Sequence, residues 1–220
     1  MSGISFVTRP PISTQILPKL RQDIIEGHWR PGDRLPEPLL CEQFGISRTP
    51  LRDAFRVLEA EGLLKLVVNV GAVVSRPCPK ELEGTFRVLA LLEAGAAEQV
   101  ALRQPADCLT ALRQIHGHME RLDQSSSPRT YFQLNDAFHR TVVDGAGNPV
   151  LTTMREQLMI QITRLRYTYY RRQLSPARTG GGHPEVLLAL EQGDGPQAFA
   201  AMREHVEAVA RRMLVLAGQP

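Results

Sequence analysis

Two groups of side chains in this 220-residue chain have types and spacings that chemistry can use. The first is Arg48, Thr49 and Arg52, which directly follow Ser47. On a helix, Arg48 and Arg52 are one turn apart and share a face. A guanidinium fork there can donate two hydrogen bonds to O6 and N7 of guanine in a major groove. The same spacing suits a solvated helix face, so the surrounding elements must decide. The second group is His139, His183 and His205 with Asn135, which precedes His139 by one turn. Three imidazoles from separate helices and one oxygen donor could hold Zn or a similar divalent ion and leave positions open for a ligand. The alternatives are core histidines satisfied by their neighbours, or a hydrolase in which the metal activates water and Glu185, beside His183, acts as base.

The first group sits among elements that suit DNA. Ile12, Ile16, Leu20 and Ile24 mark one apolar stripe on a first helix. A second helix is predicted over Glu37 to Phe44, broken by Gly45. Ser47 can cap a third, running from Arg48 to Gly62, with Pro50 tolerated in its first turn. In that helix Leu51, Ala54, Phe55 and Leu58 make the apolar face opposite the arginines. Two apolar runs, Leu63 to Val68 and Ala72 to Val74, flank Asn69-Val70-Gly71 and predict a hairpin, or wing. Two short helices in this order place the N-terminal residues of the second at base edges.

Pro77 and Pro79 predict an extended linker over 77–79, which separates residues 1–76 from residues 80–220. Beyond it the pattern is helical, with breaks near Pro105, Ser125, Gly147, Gly180 and Gly193 that define six helices. Asn148 before Pro149, and Asp194 with Gln197 three residues later, are helix-start signals. The expected fold is mainly α: a winged helix-turn-helix followed by an all-helical bundle. His139 shares its helix with Phe132, Phe138 and Val142, and His205 flanks a stripe of Phe199, Met202, Val206, Val209 and Met213. His183, before Pro184, falls at a helix start, whose positive end favours a neutral, ligating imidazole. His116 and His118, two apart, cannot chelate together and are expected at the surface.

Composition narrows the class. Net charge is +3 and the sequence pI about 9.0, which admits nucleic acid without requiring it. Residues 1–76 hold ten basic and eight acidic side chains, so a DNA site there must be a local patch. Three cysteines without a Cys-x-x-Cys pair suggest neither a disulfide framework nor a thiolate zinc site. No apolar run approaches a membrane span and no signal segment is evident, so a cytoplasmic location is expected.

The run Gly32 to Leu35, Gly45 to Ala54, Leu58 to Leu63 and Asn69 to Val74 resembles the GntR family of bacterial regulators. The resemblance implies DNA contacts by Arg48 and Arg52 with Ser47, Thr49 and the wing glycine Gly71, and a phosphate contact by Arg34. Family wings often carry a basic residue before that glycine, where this chain has Val70. Phe138-His139, Gly147-Asn148-Pro149, His183 with Glu185, and Met202 to His205 resemble the FCD ligand-binding domain of the FadR subfamily, in its six-helix, VanR-like branch. There such histidines hold a metal. Many members have Asp where this chain has Asn135.

The resemblance further implies a homodimer on a palindromic double-stranded DNA operator, repressing transcription until a small carboxylate effector binds in the helical domain. A sensor of the metal itself is the alternative. Many FCD domains use an arginine one turn before the glutamate of their first helix to pair with the effector. Here Glu93 is preceded at that position by Leu89, and Arg87 lies about 200° around the helix from it. Within the cluster Arg164 to Arg172, Arg164 is then the candidate anion contact.

Overall fold

The computed structural model describes residues 12–76, 78–122, 128–171 and 182–217. The chain divides into two compact units, Met1–Pro77 and Cys78–Pro220.

In the N-terminal unit, helix α1 (Ile12–Ile25) buries Ile16, Leu20 and Ile24, which recur every four residues and so face one side. Helices α2 (Glu37–Phe44) and α3 (Arg48–Ala60) are joined through Gly45, whose left-handed backbone (φ 62°) lets its N–H return to the carbonyls of Cys41 and Glu42. Helix α3 buries Leu51, Ala54, Phe55 and Leu58. It ends at Ala60 rather than Gly62, because Glu61 caps it and Gly62, at φ 71°, turns the chain. Strands β1 (Leu64–Val67) and β2 (Gly71–Val74) pair antiparallel, with Leu64 opposite Val74 and Val67 opposite Gly71. Asn69 takes the left-handed conformation (φ 61°) in the turn. Arg34 forms an isolated bridge to Val73, which ties the segment after α1 to the wing.

The second unit consists of α4 (Pro79–Arg103), α5 (Ala106–Glu120), α6 (Pro128–Gly145), α7 (Pro149–Arg171), α8 (His183–Gln192) and α9 (Gly195–Ala217). Pro79 is the first residue of α4, so the extended stretch expected to reach residue 79 stops short of it. A proline at that position loses no hydrogen bond, since the first N–H groups of a helix have no partner within it. Helix α4 packs along α9 and also touches α6, α7 and α8. Its buried alanines Ala90, Ala94, Ala97 and Ala101 let neighbouring helices approach closely. Asn148 Oδ1 accepts from the N–H of Val150, and Asp194 Oδ1 from the N–H of Gln197. Both start signals therefore work as side-chain caps. Among the described residues no helix is long and apolar enough to cross a membrane.

Candidate functional site

The first candidate site lies between the recognition helix and the wing. A groove of about 740 Å³ runs between α3 and the hairpin, lined by Arg34, Arg48, Arg52, Arg56 and the wing residues Asn69 to Gly71. Arg34, Arg48, Thr49, Arg52 and Ser47 are all exposed. Ser47 occupies the N-cap position with extended backbone, but its side chain makes no capping hydrogen bond, contrary to the expected role. Gly71 sits at φ 98°, and a Cβ there would lie 3.9 Å from Nε of Arg34. Two residues that sequence reasoning passed over belong to the same surface. Arg56, one turn beyond Arg52, pairs with Asp53 at 3.3 Å. Glu37, in the first turn of α2, accepts from Nε of Arg52 through both carboxylate oxygens, each at 3.2 Å. The four-residue step from Arg48 to Arg52 to Arg56 would have flagged Arg56, whereas Glu37 lies on another helix and leaves no such signal.

The second site is inside the helical unit. His139 from α6, His183 at the start of α8 and His205 from α9 are all buried, and one nitrogen of each lies within 4.8 Å of the others. The rings of His183 and His205 are 4.2 Å apart between centroids. This close approach depends on Gly182 at φ 114°, since a Cβ there would fall 2.7 Å from Nδ1 of His205. Nδ1 of His139 is 2.7 Å from Oε2 of Glu93. Burial pushes the Glu93 carboxyl upward, but the charges and hydrogen bonds of His139 and Arg155 outweigh it and hold its pKa at about 2. An ionised carboxylate only accepts, so the ring nitrogen of His139 that faces Glu93, Nδ1, carries a proton, and Nε2 is the nitrogen turned toward His205. Arg155 donates to Glu93 at 2.8 Å and to Asp136 at 2.7 Å, which ties the buried Glu93–Arg155 pair to a half-exposed carboxylate.

The donor set fits a divalent ion. Two nitrogens bound to one tetrahedral ion at about 2.0–2.1 Å stand about 3.3 Å apart. Nε2 of His139 and Nε2 of His205 are 3.2 Å apart. Asn135 is buried and lines the same chamber as His139, His205 and Glu93. That chamber has a volume of only about 20 Å³.

Arg164, the expected anion contact, is buried, and its pKa is pushed down by burial to about 10. It does not line the chamber. Arg166 does, two residues on and so on the other side of α7, with its guanidinium carbon 5.6 Å from the centre of the Phe132 ring. A second groove of about 170 Å³, between α6 and α7, shares Arg166. Leu89 lines the chamber, while Arg87 is exposed and pairs with Glu83 at 3.4 Å. His118 is exposed as expected. His116 is not, because its side chain is only 13 % exposed, beside Glu120. The side chains of Tyr169, Tyr170, Arg171 and Arg172 lie outside the described residues.

A winged helix-turn-helix bearing an arginine groove, followed by a helical unit around a buried histidine cluster, defines a ligand-responsive DNA-binding protein. The pattern of the bacterial regulatory proteins of the gntR family matches residues 12–74, and that of the FCD domain matches residues 85–208; the chain belongs to the GntR family of transcription regulators and carries an FCD domain. It is similar to an HTH-type transcriptional regulator of Streptomyces ambofaciens, with 29% identity over 87% of this chain and 80% of that one. It is also similar to a probable D-xylose utilization operon transcriptional repressor of Paenarthrobacter nicotinovorans, with 29% identity over 92% and 88% of the two chains. With RspR, a transcriptional repressor of Escherichia coli K12, identity is 24% over 91% and 88%. The fold matches that of E. coli McbR/YncC with a TM-score of 0.74 at 19% identity, covering 96% of this chain and 100% of that one. The protein is thus an effector-controlled, DNA-binding transcription regulator.

Proposed function

We propose that the chain is a homodimeric repressor of the FadR subfamily, in its six-helix VanR-like branch, whose residues 1–76 grip a palindromic operator. Residues 80–220 bind a small carboxylate beside a divalent ion, and its binding releases the DNA. The observation that carries this reading is the buried His139–His183–His205 cluster with Glu93 facing Nδ1 of His139. An ion held there, with Asn135 as a fourth donor, would supply a Lewis-acid contact for one carboxylate oxygen. The chain's own residues do the rest: Glu93 orients His139, Arg155 holds Glu93, and Arg166 offers a guanidinium at the edge of the chamber. Repression is favoured by the relatives named as repressors. In the N-terminal unit Arg48 and Arg52 read bases, with Thr49 beside them, and Ser47, Arg34 and Gly71 approach the backbone.

An effector can release DNA only through a difference in affinity between two arrangements of the protein, a coupling of about 1–3 kcal/mol. A thermal-shift screen of carboxylates, run with metal and after EDTA, tests the reading. The expected result is a carboxylate that raises the melting temperature only with metal present and weakens operator binding. Stabilisation that is indifferent to EDTA would remove the metal from effector binding.

A second reading, in which the ion is itself the signal, is favoured by the 20 Å³ chamber, which suits an ion and water better than a metabolite. It requires operator affinity to change on metal addition alone.

A further inference from the structure

We infer that Glu37 is a specificity-determining residue: by holding Nε of Arg52 from the side, it commits that arginine to reading guanine end-on through Nη1 and Nη2. The inference rests on the assignment of Arg52 to base reading and adds to it the residue that sets how the base is read.

Guanidinium can address the O6 and N7 acceptors of guanine with either of two edges, the side edge formed by Nε and one Nη or the end formed by both Nη groups. In this structure Nε of Arg52 donates to both oxygens of Glu37, each at 3.2 Å. That occupies the side edge. No partner is found for Nη1 or Nη2 among the described residues, and the side chain remains 61 % exposed while that of Glu37 is only 19 % exposed. The acceptor is therefore the anchored member and the arginine the projecting one. Glu37 is anchored because it stands in the first turn of α2, whose N-terminal end favours a negative charge, with Pro36 before it and Pro38 after it.

Stability does not account for the pair. An exposed ion pair contributes about 0–1 kcal/mol to folding. Its position matters more: among the described residues Glu37 is the one carboxylate lining a groove that also holds Arg34, Arg48, Arg52 and Arg56. A negative charge on that wall repels phosphate and weakens sequence-independent attraction. It also withholds Arg52 from a phosphate contact that would satisfy it on any sequence. Both effects lower binding to wrong DNA more than to right DNA, which is how a repulsive element produces specificity.

The test starts from an operator selected by the intact protein from random DNA, followed by measurement of binding to that operator and to each single-base-pair variant. The variants are R52A, E37A, E37Q and the double variant E37A/R52A, each checked for an unchanged melting temperature. Arg52→Ala should abolish the preference for guanine at one base pair of each half-site; undiminished discrimination there would remove Arg52 from base reading altogether. Glu37→Ala should cut the preference at that same base pair about 5–10-fold, within what one good bidentate contact supplies. It should leave binding to unrelated DNA unchanged or tighter. The double variant should discriminate no worse than R52A alone. E37Q, which keeps an acceptor but no charge, should retain part of the preference while gaining the same non-specific affinity as E37A. If R52A loses the preference but E37A keeps it in full, the inference fails and the base-reading role of Arg52 stands. A preference lost on E37A at a different base pair overturns it too, since Glu37 would then be touching the DNA itself.

Discussion

Nδ1 of His139 lies 2.7 Å from Oε2 of Glu93, and both side chains are almost wholly buried. This contact joins α6 to α4 and decides which nitrogen of His139 is available, because a carboxylate can only accept. Glu93 is in turn clamped by Arg155 from α7. The histidine cluster is thus oriented by a charge network rather than by packing alone, and the network can be broken one member at a time.

Glu93→Gln should destabilise the helical unit by about 1.5–3 kcal/mol, because it weakens the buried partner of Arg155 and leaves that guanidinium to Asp136. Urea unfolding measures this. The double change Glu93→Gln with Arg155→Met should recover part of the loss, and strict additivity of the two changes would show that the pair is not coupled.

Metal content should fall in His139→Ala, His183→Ala and His205→Ala, and rise in Asn135→Asp, which adds a charged oxygen donor. Elemental analysis after reconstitution checks each variant. Unchanged metal in all three alanine variants would reduce these histidines to core residues.

Gly182→Ala should weaken metal binding although it replaces none of the ligands. A Cβ at that position, 2.7 Å from Nδ1 of His205 on a backbone at φ 114°, must displace the imidazole or the chain. The expected signature is a metal titration shifted to weaker affinity, with melting lowered by a change of about 1–3 kcal/mol. Affinity equal to that of the parent would mean that His205 is not a ligand.

On the DNA face, Arg48→Ala should cost about 1–3 kcal/mol of operator binding and relax sequence preference, as expected of a base contact. Arg56→Ala should weaken all sequences alike and lower the slope of affinity against salt by about one. Titrations at several salt concentrations separate the two behaviours.

For the effector, Arg166→Ala should weaken carboxylate binding at least tenfold, the loss expected of one charge-assisted contact, whereas Arg87→Ala should have little effect. Leu89 lines the chamber and Arg87 points to solvent, so a less polar or singly charged ligand is expected. Calorimetry with mono- and dicarboxylates decides this. Tight, metal-independent binding of a dicarboxylate that is lost in Arg87→Ala would overturn it.

Local signals were legible in the sequence. The four-residue recurrence of Ile16, Leu20 and Ile24, the caps at Asn148 and Asp194, the wing turn around Asn69 and the break at Gly45 each depend on residues within one or two turns of each other. Backbone geometry therefore reports them directly. The inward face of His139 and His205 was legible for the same reason, since each lies on an apolar stripe of its own helix.

What the tertiary structure decided was which stripes meet. Periodicity gives the face of a helix but not the side chain across from it, so neither Glu93 as partner of His139 nor Glu37 as partner of Arg52 could be read from spacing. Which of Arg164 and Arg166 lines the chamber turned on the rotation of α7 against α6, a quantity fixed by packing. The sequence by itself determined two domains, their helices and the residue types able to bind DNA and metal. Only the fold, by bringing distant residues within hydrogen-bond range, determined how those residues are charged and aimed.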